Sequence, residues 1–174
     1  LGAMLAVLVG LSYGVLRLAY FAEYVEGYRA LRVLSLAQGA FTLSVIGTTL
    51  LLAIGRTRAA IGLLATMLGA TLAGDVAGIA MSTTDLGALE GTAAGTAAGC
   101  TLGLALVALV VRKELGGFVP LKTALRVALC SAAAALCAGR LPVHGKVGTL
   151  IAAVVTGVIY VALLALPGEL GRDE

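Results

Sequence analysis

Six long apolar runs, each close to the ~20 residues that a helix needs to cross a bilayer, succeed one another with only short polar turns between them. They fall at about 1–18, 30–54, 59–82, 87–111, 121–139 and 146–166. The runs are too long and too continuous for barrel strands, which alternate in polarity. They predict an all-α, polytopic membrane bundle of about six transmembrane helices, because a helix satisfies its own backbone groups in hydrocarbon. Composition agrees: 60% of the 174 residues are hydrophobic and 12% charged, and the mean hydropathy is +1.08. That leaves too little polar surface for a soluble globule and too much apolar surface for disorder.

The net charge of +3 is carried mostly by turns, so it bears on orientation rather than on a nucleic-acid partner. Alternate turns hold seven basic residues on one side (Arg56, Arg58, Arg112, Lys113, Lys122, Arg126, Arg172) and five on the other (Arg17, Arg29, Arg32, Arg140, Lys146). The richer side is expected to be cytoplasmic, and with it the C-terminus; the Ala/Gly-rich composition points to a bacterial host, and so to a bacterial cytoplasmic (inner) membrane. The opposite turn, RLAYFAEYVEGYRALR, interleaves its basic residues with Glu23 and Glu26 and with tyrosines suited to the headgroup level. The first run has sixteen residues before Arg17, about 24 Å as a helix, short of the ~30 Å core. The expectation is a thinned, tilted helix, or one whose beginning precedes the sequence.

Gly87, Gly91, Gly95, Gly99 and Gly103 recur at every fourth residue of the fourth run. This glycine-zipper spacing leaves one helical face bare for a second backbone, and Gly74 with Gly78 is the expected partner. The alternative is a smooth face that slides during transport. Asp75 stands deep in the third run, where a carboxylate is expected to face a cavity or a partner; hydration near the outer end is the simpler reading. Glu90 is assigned to favour a helix start. Ser35, Gln38 and Thr42 share a face of the second run, and either line a water-filled cavity or bond between helices. Arg17, Arg29 and Arg32 are candidate headgroup or phosphate contacts, with pairing to Glu23 and Glu26 as the alternative. Arg126 either snorkels to the interface or contacts phosphate. Cys100, Cys130 and Cys137 lie within apolar runs without CxxC spacing, and His144 lies alone in a turn. No nucleophile elbow, phosphate loop or metal motif occurs, so no catalytic residue, cofactor or metal is expected.

The order of elements resembles the C-terminal part of polysaccharide flippases, exporters of lipid-linked oligosaccharides in the multidrug, oligosaccharidyl-lipid and polysaccharide flippase superfamily. The likeness is carried by Tyr20, Phe21, Glu23 and Tyr24 in the outward turn, then by Leu51, Ala53, Gly55 and Arg56 at the end of the next run. Gly87, Ala88, Gly91 and Ala93 approximate the family's following glycine-alanine helix start, from which Glu90 and Thr92 depart. The resemblance implies that the six runs are the last six of fourteen helices, lacking an N-terminal lobe of the same protein. It implies alternating access for a polyprenyl-linked glycan, a lipid-facing groove beside the last two runs, and a role in cell-envelope polysaccharide biosynthesis. A multidrug or cation antiporter of the same superfamily, a non-transporting six-helix scaffold and a polyprenyl-phosphate enzyme are the competing readings. Gln38, Thr42 and Asp75, as the deepest polar residues, are the cavity candidates.

Overall fold

A run of apolar residues becomes a stable membrane helix only where its ends and its inward face are resolved, and both are visible in the computed structural model. It describes residues 2–20, 22–116, 121–140 and 145–165, apart from the side chains of 22–23, 121–126, 145–146 and 163–165. Within these the chain is all-helical, with no strand. The elements are α1 (Gly2–Gly10), α2 (Ser12–Ala19), a 3-10 turn (Ala22–Gly27), α3 (Tyr28–Ala53), α4 (Thr57–Ala80), α5 (Asp85–Leu115), α6 (Leu121–Arg140) and α7 (Gly145–Ala165). Three stretches, Tyr24–Ala53, Thr57–Ala80 and Asp85–Leu115, are long and apolar enough to cross a membrane, and α1 with α2 makes a fourth if that bent pair is one span. Such helices suggest membrane association. The chain divides into two compact units, residues 1–28 with 121–174 and residues 29–120.

Local chemistry sets the helix ends in the second unit. α3 stops in a Schellman arrangement: Gly55, at φ +78°, donates to the Leu52 carbonyl at 3.0 Å, and Arg56 N–H reaches the Leu51 carbonyl at 2.9 Å. α5 opens on Thr84, whose hydroxyl accepts the Gly87 N–H at 3.1 Å, with Asp85 in the first turn. Glu90 lies beyond that turn and is exposed, so the helix start rests on Thr84 and Asp85 rather than on Glu90. At the far end Arg112 and Lys113 oppose the helix dipole, and Gly116, at φ +77°, returns its N–H to the Arg112 carbonyl at 3.0 Å. Arg56 pairs with Glu114 at 2.9 Å, which puts the α3–α4 turn and the end of α5 at the same end of this unit.

α5 organises the unit through two stripes. Gly91, Gly95, Gly99 and Gly103 meet Gly78, Gly74, Thr71 and Met67 of antiparallel α4 in that order. A Cβ on Gly74 would lie 2.8 Å from the Gly95 Cα, and one on Gly91 would lie 2.6 Å from the Gly78 carbonyl oxygen. Neither position has room for a methyl group. Ala97, Cys100, Leu104, Val107 and Val111, spaced three and four apart, form the second stripe. The first three pack with Ala37 and Ala40 of α3, and the two valines with Leu51 of α3 and Ala60 of α4.

The first unit packs α1, α2, α6 and α7. Ala6 meets Ala134 and Tyr160, while Leu11 meets Ala138 and Ala152. Here the structure departs from the single helix expected over 1–18: α1 and α2 are bent by 82° at Leu11, whose φ is −110° and ψ 21°. The break sits between Gly10 and Ser12, the kind of pair at which helices kink. Gly10 is pressed on α6, since a Cβ there would lie 2.6 Å from the Ala138 Cβ and 2.7 Å from the Ala135 carbonyl oxygen.

Two predictions follow from this packing. Gly95→Leu should prevent a monodisperse, cooperatively melting protein in detergent, whereas Gly62→Ala, on an open face of α4, should leave thermal stability equal or raised by up to about 1 kcal/mol. Arg56→Ala should shift stability by less than about 1 kcal/mol in the same melts, because its side chain is 58% exposed.

Candidate functional site

Hydroxyls in an apolar helix must find an acceptor, and those of α3 find it one turn back. Ser35 donates to the Leu31 carbonyl at 2.7 Å, Thr42 to Gln38 at 2.8 Å, Ser44 to Ala40 at 2.9 Å, Thr48 to Ser44 at 3.1 Å and Thr49 to Val45 at 2.8 Å. This ladder gives those five hydroxyls an acceptor without a partner helix. Gln38 is exposed and Thr42 half-buried.

Asp75 is half-buried, five residues before the end of α4. Its Oδ1 accepts the Thr96 hydroxyl of α5 at 2.8 Å. The pair sits beside the Gly74–Gly95 contact, where the missing side chains allow two helices close enough for so short a link. Thr96 is the partner that sequence reasoning missed. Its signal was present, one residue after Gly95 as Asp75 is one after Gly74. The cavity candidates are not gathered into one site: Thr42 bonds the Gln38 backbone, Asp75 bonds Thr96, and no hydrogen bond joins the two pairs among the described residues.

A cavity of about 460 Å³ opens in the first unit, lined by Tyr13 and Arg17 of α2, Val25 and Glu26 of the 3-10 turn, and Tyr28. Tyr13 and Arg17 are one helical turn apart and so project from one face of α2. Tyr13 and Tyr28 meet edge to face with centroids 6.2 Å apart, and Tyr20 lies against Tyr24 at 5.8 Å. Arg17 and Glu26 are both exposed and form no ion pair with each other, although they line the same space. Of the predicted basic contacts, Arg17 thus lines a cavity, while Arg29 and Arg32 are exposed residues of α3. The side chains of Arg126, Lys122 and Glu23, together with His144 and Arg172, lie outside the described residues.

The glycine series divides. Gly91, Gly95, Gly99 and Gly103 face α4, whereas Gly87 lies by Thr84 and Ser82 in the helix start. Cys100 is buried, Cys130 half-buried and Cys137 exposed, all as free thiols. No group of three His, Cys, Asp or Glu that could hold a metal occurs among the described residues. Comparison with known families, curated proteins and solved structures finds no match for the chain.

The Asp75–Thr96 link should behave as a coupled pair. Thr96→Val and Asp75→Ala, each of which removes one partner of the bond, should each destabilise the protein in detergent. A double-mutant cycle on thermal or denaturant melts should show a coupling of about 0.6 kcal/mol, the average for such bonds in membrane proteins, with about 1.7 kcal/mol as the ceiling. Strict additivity would mean that the bond contributes nothing.

Proposed function

We propose that the protein is part of a flippase that moves lipid-linked oligosaccharide, a polysaccharide precursor, from the cytoplasmic to the outer leaflet by alternating access. The observation that carries this reading is the order of motifs along the chain: the Tyr20, Phe21, Glu23 and Tyr24 turn, the Leu51, Ala53, Gly55 and Arg56 stop, then the glycine-alanine start of the next helix. The distribution of elements supports it, since helices occupy all six apolar runs and the first is broken in its middle. Discontinuous helices are how transporters place polar backbone inside a membrane. In this reading the six runs form the C-terminal lobe, which works with an N-terminal lobe of the same protein.

The physical task fits the inventory of residues. A glycan cannot enter hydrocarbon without replacing its hydration. A lobe carrying Gln38, Thr42 and Asp75 on apolar helices offers replacement partners, and rocking two lobes needs no bond chemistry. The basic GRTR and RKEL ends would then face the cytoplasm, with the tyrosine-rich turn outside.

An antiporter of the same superfamily is the second reading, favoured by one observation: Asp75 is a carboxylate within an apolar span. The natural full-length protein, reconstituted in liposomes with a fluorescent polyprenyl-linked oligosaccharide, separates the two. Flipping predicts that the protein renders inner-leaflet glycan accessible to an external lectin, with no such gain in empty liposomes. Unchanged lectin access together with Asp75-dependent cation flux would reject flipping in favour of the antiporter.

A further inference from the structure

The cavity between α2 and the 3-10 turn presents an unusual combination of groups. Among the described residues its lining carries one guanidinium, one carboxylate, two aromatic rings and one small apolar side chain, from Arg17, Glu26, Tyr13, Tyr28 and Val25. The opposite charges border the same volume without closing on each other. A purely anionic ligand would meet Glu26, and a purely cationic one would meet Arg17. A ligand bearing both charges a few atoms apart answers both.

We propose that this cavity is a headgroup site for a zwitterionic phosphate and ammonium group, with Arg17 on the phosphate and Glu26 with the Tyr13 and Tyr28 rings on the ammonium. Guanidinium is the side chain best matched to phosphate oxygens, through its planar fork of donors. Ammonium is drawn to a carboxylate and to the face of a tyrosine ring, and an edge-to-face pair leaves one ring face uncovered by the other ring. The location suits the ligand, because the cavity adjoins a tyrosine-rich turn of the type found at the headgroup level. The cavity volume of about 460 Å³ falls within the range of small-molecule sites. The inference is independent of the transport reading: it needs neither a second lobe nor movement.

The test is native mass spectrometry of the detergent-purified chain with phosphatidylethanolamine and phosphatidylglycerol supplied in equal amounts. The wild type should retain phosphatidylethanolamine in preference. Glu26→Gln and Tyr13→Ala should each reduce that preference by about fivefold, as an exposed charge or cation-ring contact of up to about 1 kcal/mol implies. Tyr13→Phe should keep the preference, and Arg17→Gln should lower retention of both lipids. Equal or stronger retention of phosphatidylglycerol by the wild type, or a preference unchanged in Glu26→Gln, would overturn the proposal. Soluble phosphoethanolamine serves as the second arm. If it fails to displace the lipid the ligand is a lipid headgroup, and if it displaces the lipid fully the same chemistry is taken from a free molecule. Melting curves of Glu26→Gln, Arg17→Gln and Tyr13→Phe should overlay the wild type, since Arg17 and Glu26 are exposed and phenylalanine keeps the ring pair with Tyr28, whereas Tyr13→Ala loses that pair.

Discussion

The contact of α4 with α5 decides how close everything else in the second unit can come. In a bilayer, apolar side chains gain little by leaving lipid for protein, so helices associate through packing and a few polar links. Gly74 on Gly95 and Gly78 on Gly91 bring two backbones together without an intervening methyl group. That approach shortens the gap that Thr96 must cross to reach Asp75. It also turns the other face of α5, from Ala97 to Val111, toward α3. A glycine stripe and a heptad-like apolar stripe on one helix thus give it two neighbours, α4 met closely by backbone at the glycines and α3 met by side chains.

The helices themselves were legible because apolar run length and turn chemistry act locally. Gly55 and Arg56, or Thr84 and Asp85, mark their helix ends in sequences of two or three residues. The partner glycines of α4 were also readable, since two matched spacings suggest one antiparallel register. The break at Leu11 was not. It goes with Gly10 meeting Ala135 and Ala138, more than a hundred residues away in the chain.

The polar residues were harder to place than the apolar ones, for a physical reason. A serine or threonine in a helix can bond its own preceding turn, a neighbouring helix or water, and spacing does not distinguish the three. Ser35, Thr42, Ser44 and Thr48 all take the first option, so their hydroxyls have an acceptor without a neighbouring helix. Asp75 has no such internal solution, because a carboxylate accepts and cannot bond a carbonyl. It had to look outward, and the donor it met was one residue beyond the matching glycine. The tyrosines of the first turn stand out in the sequence, but their convergence with Arg17 and Glu26 depends on how the 3-10 turn folds back on α2.

The bend at Leu11 changes what the first apolar run can do in a bilayer. Two helices set at 82° cannot both follow the membrane normal: where α1 stands upright, α2 lies nearly in the plane of the bilayer. A helix in that plane meets different surroundings on its two sides. α2 is divided in that way, with Tyr13 and Arg17 exposed on one side and Val15 packed toward Ala138 and Ala152 on the other.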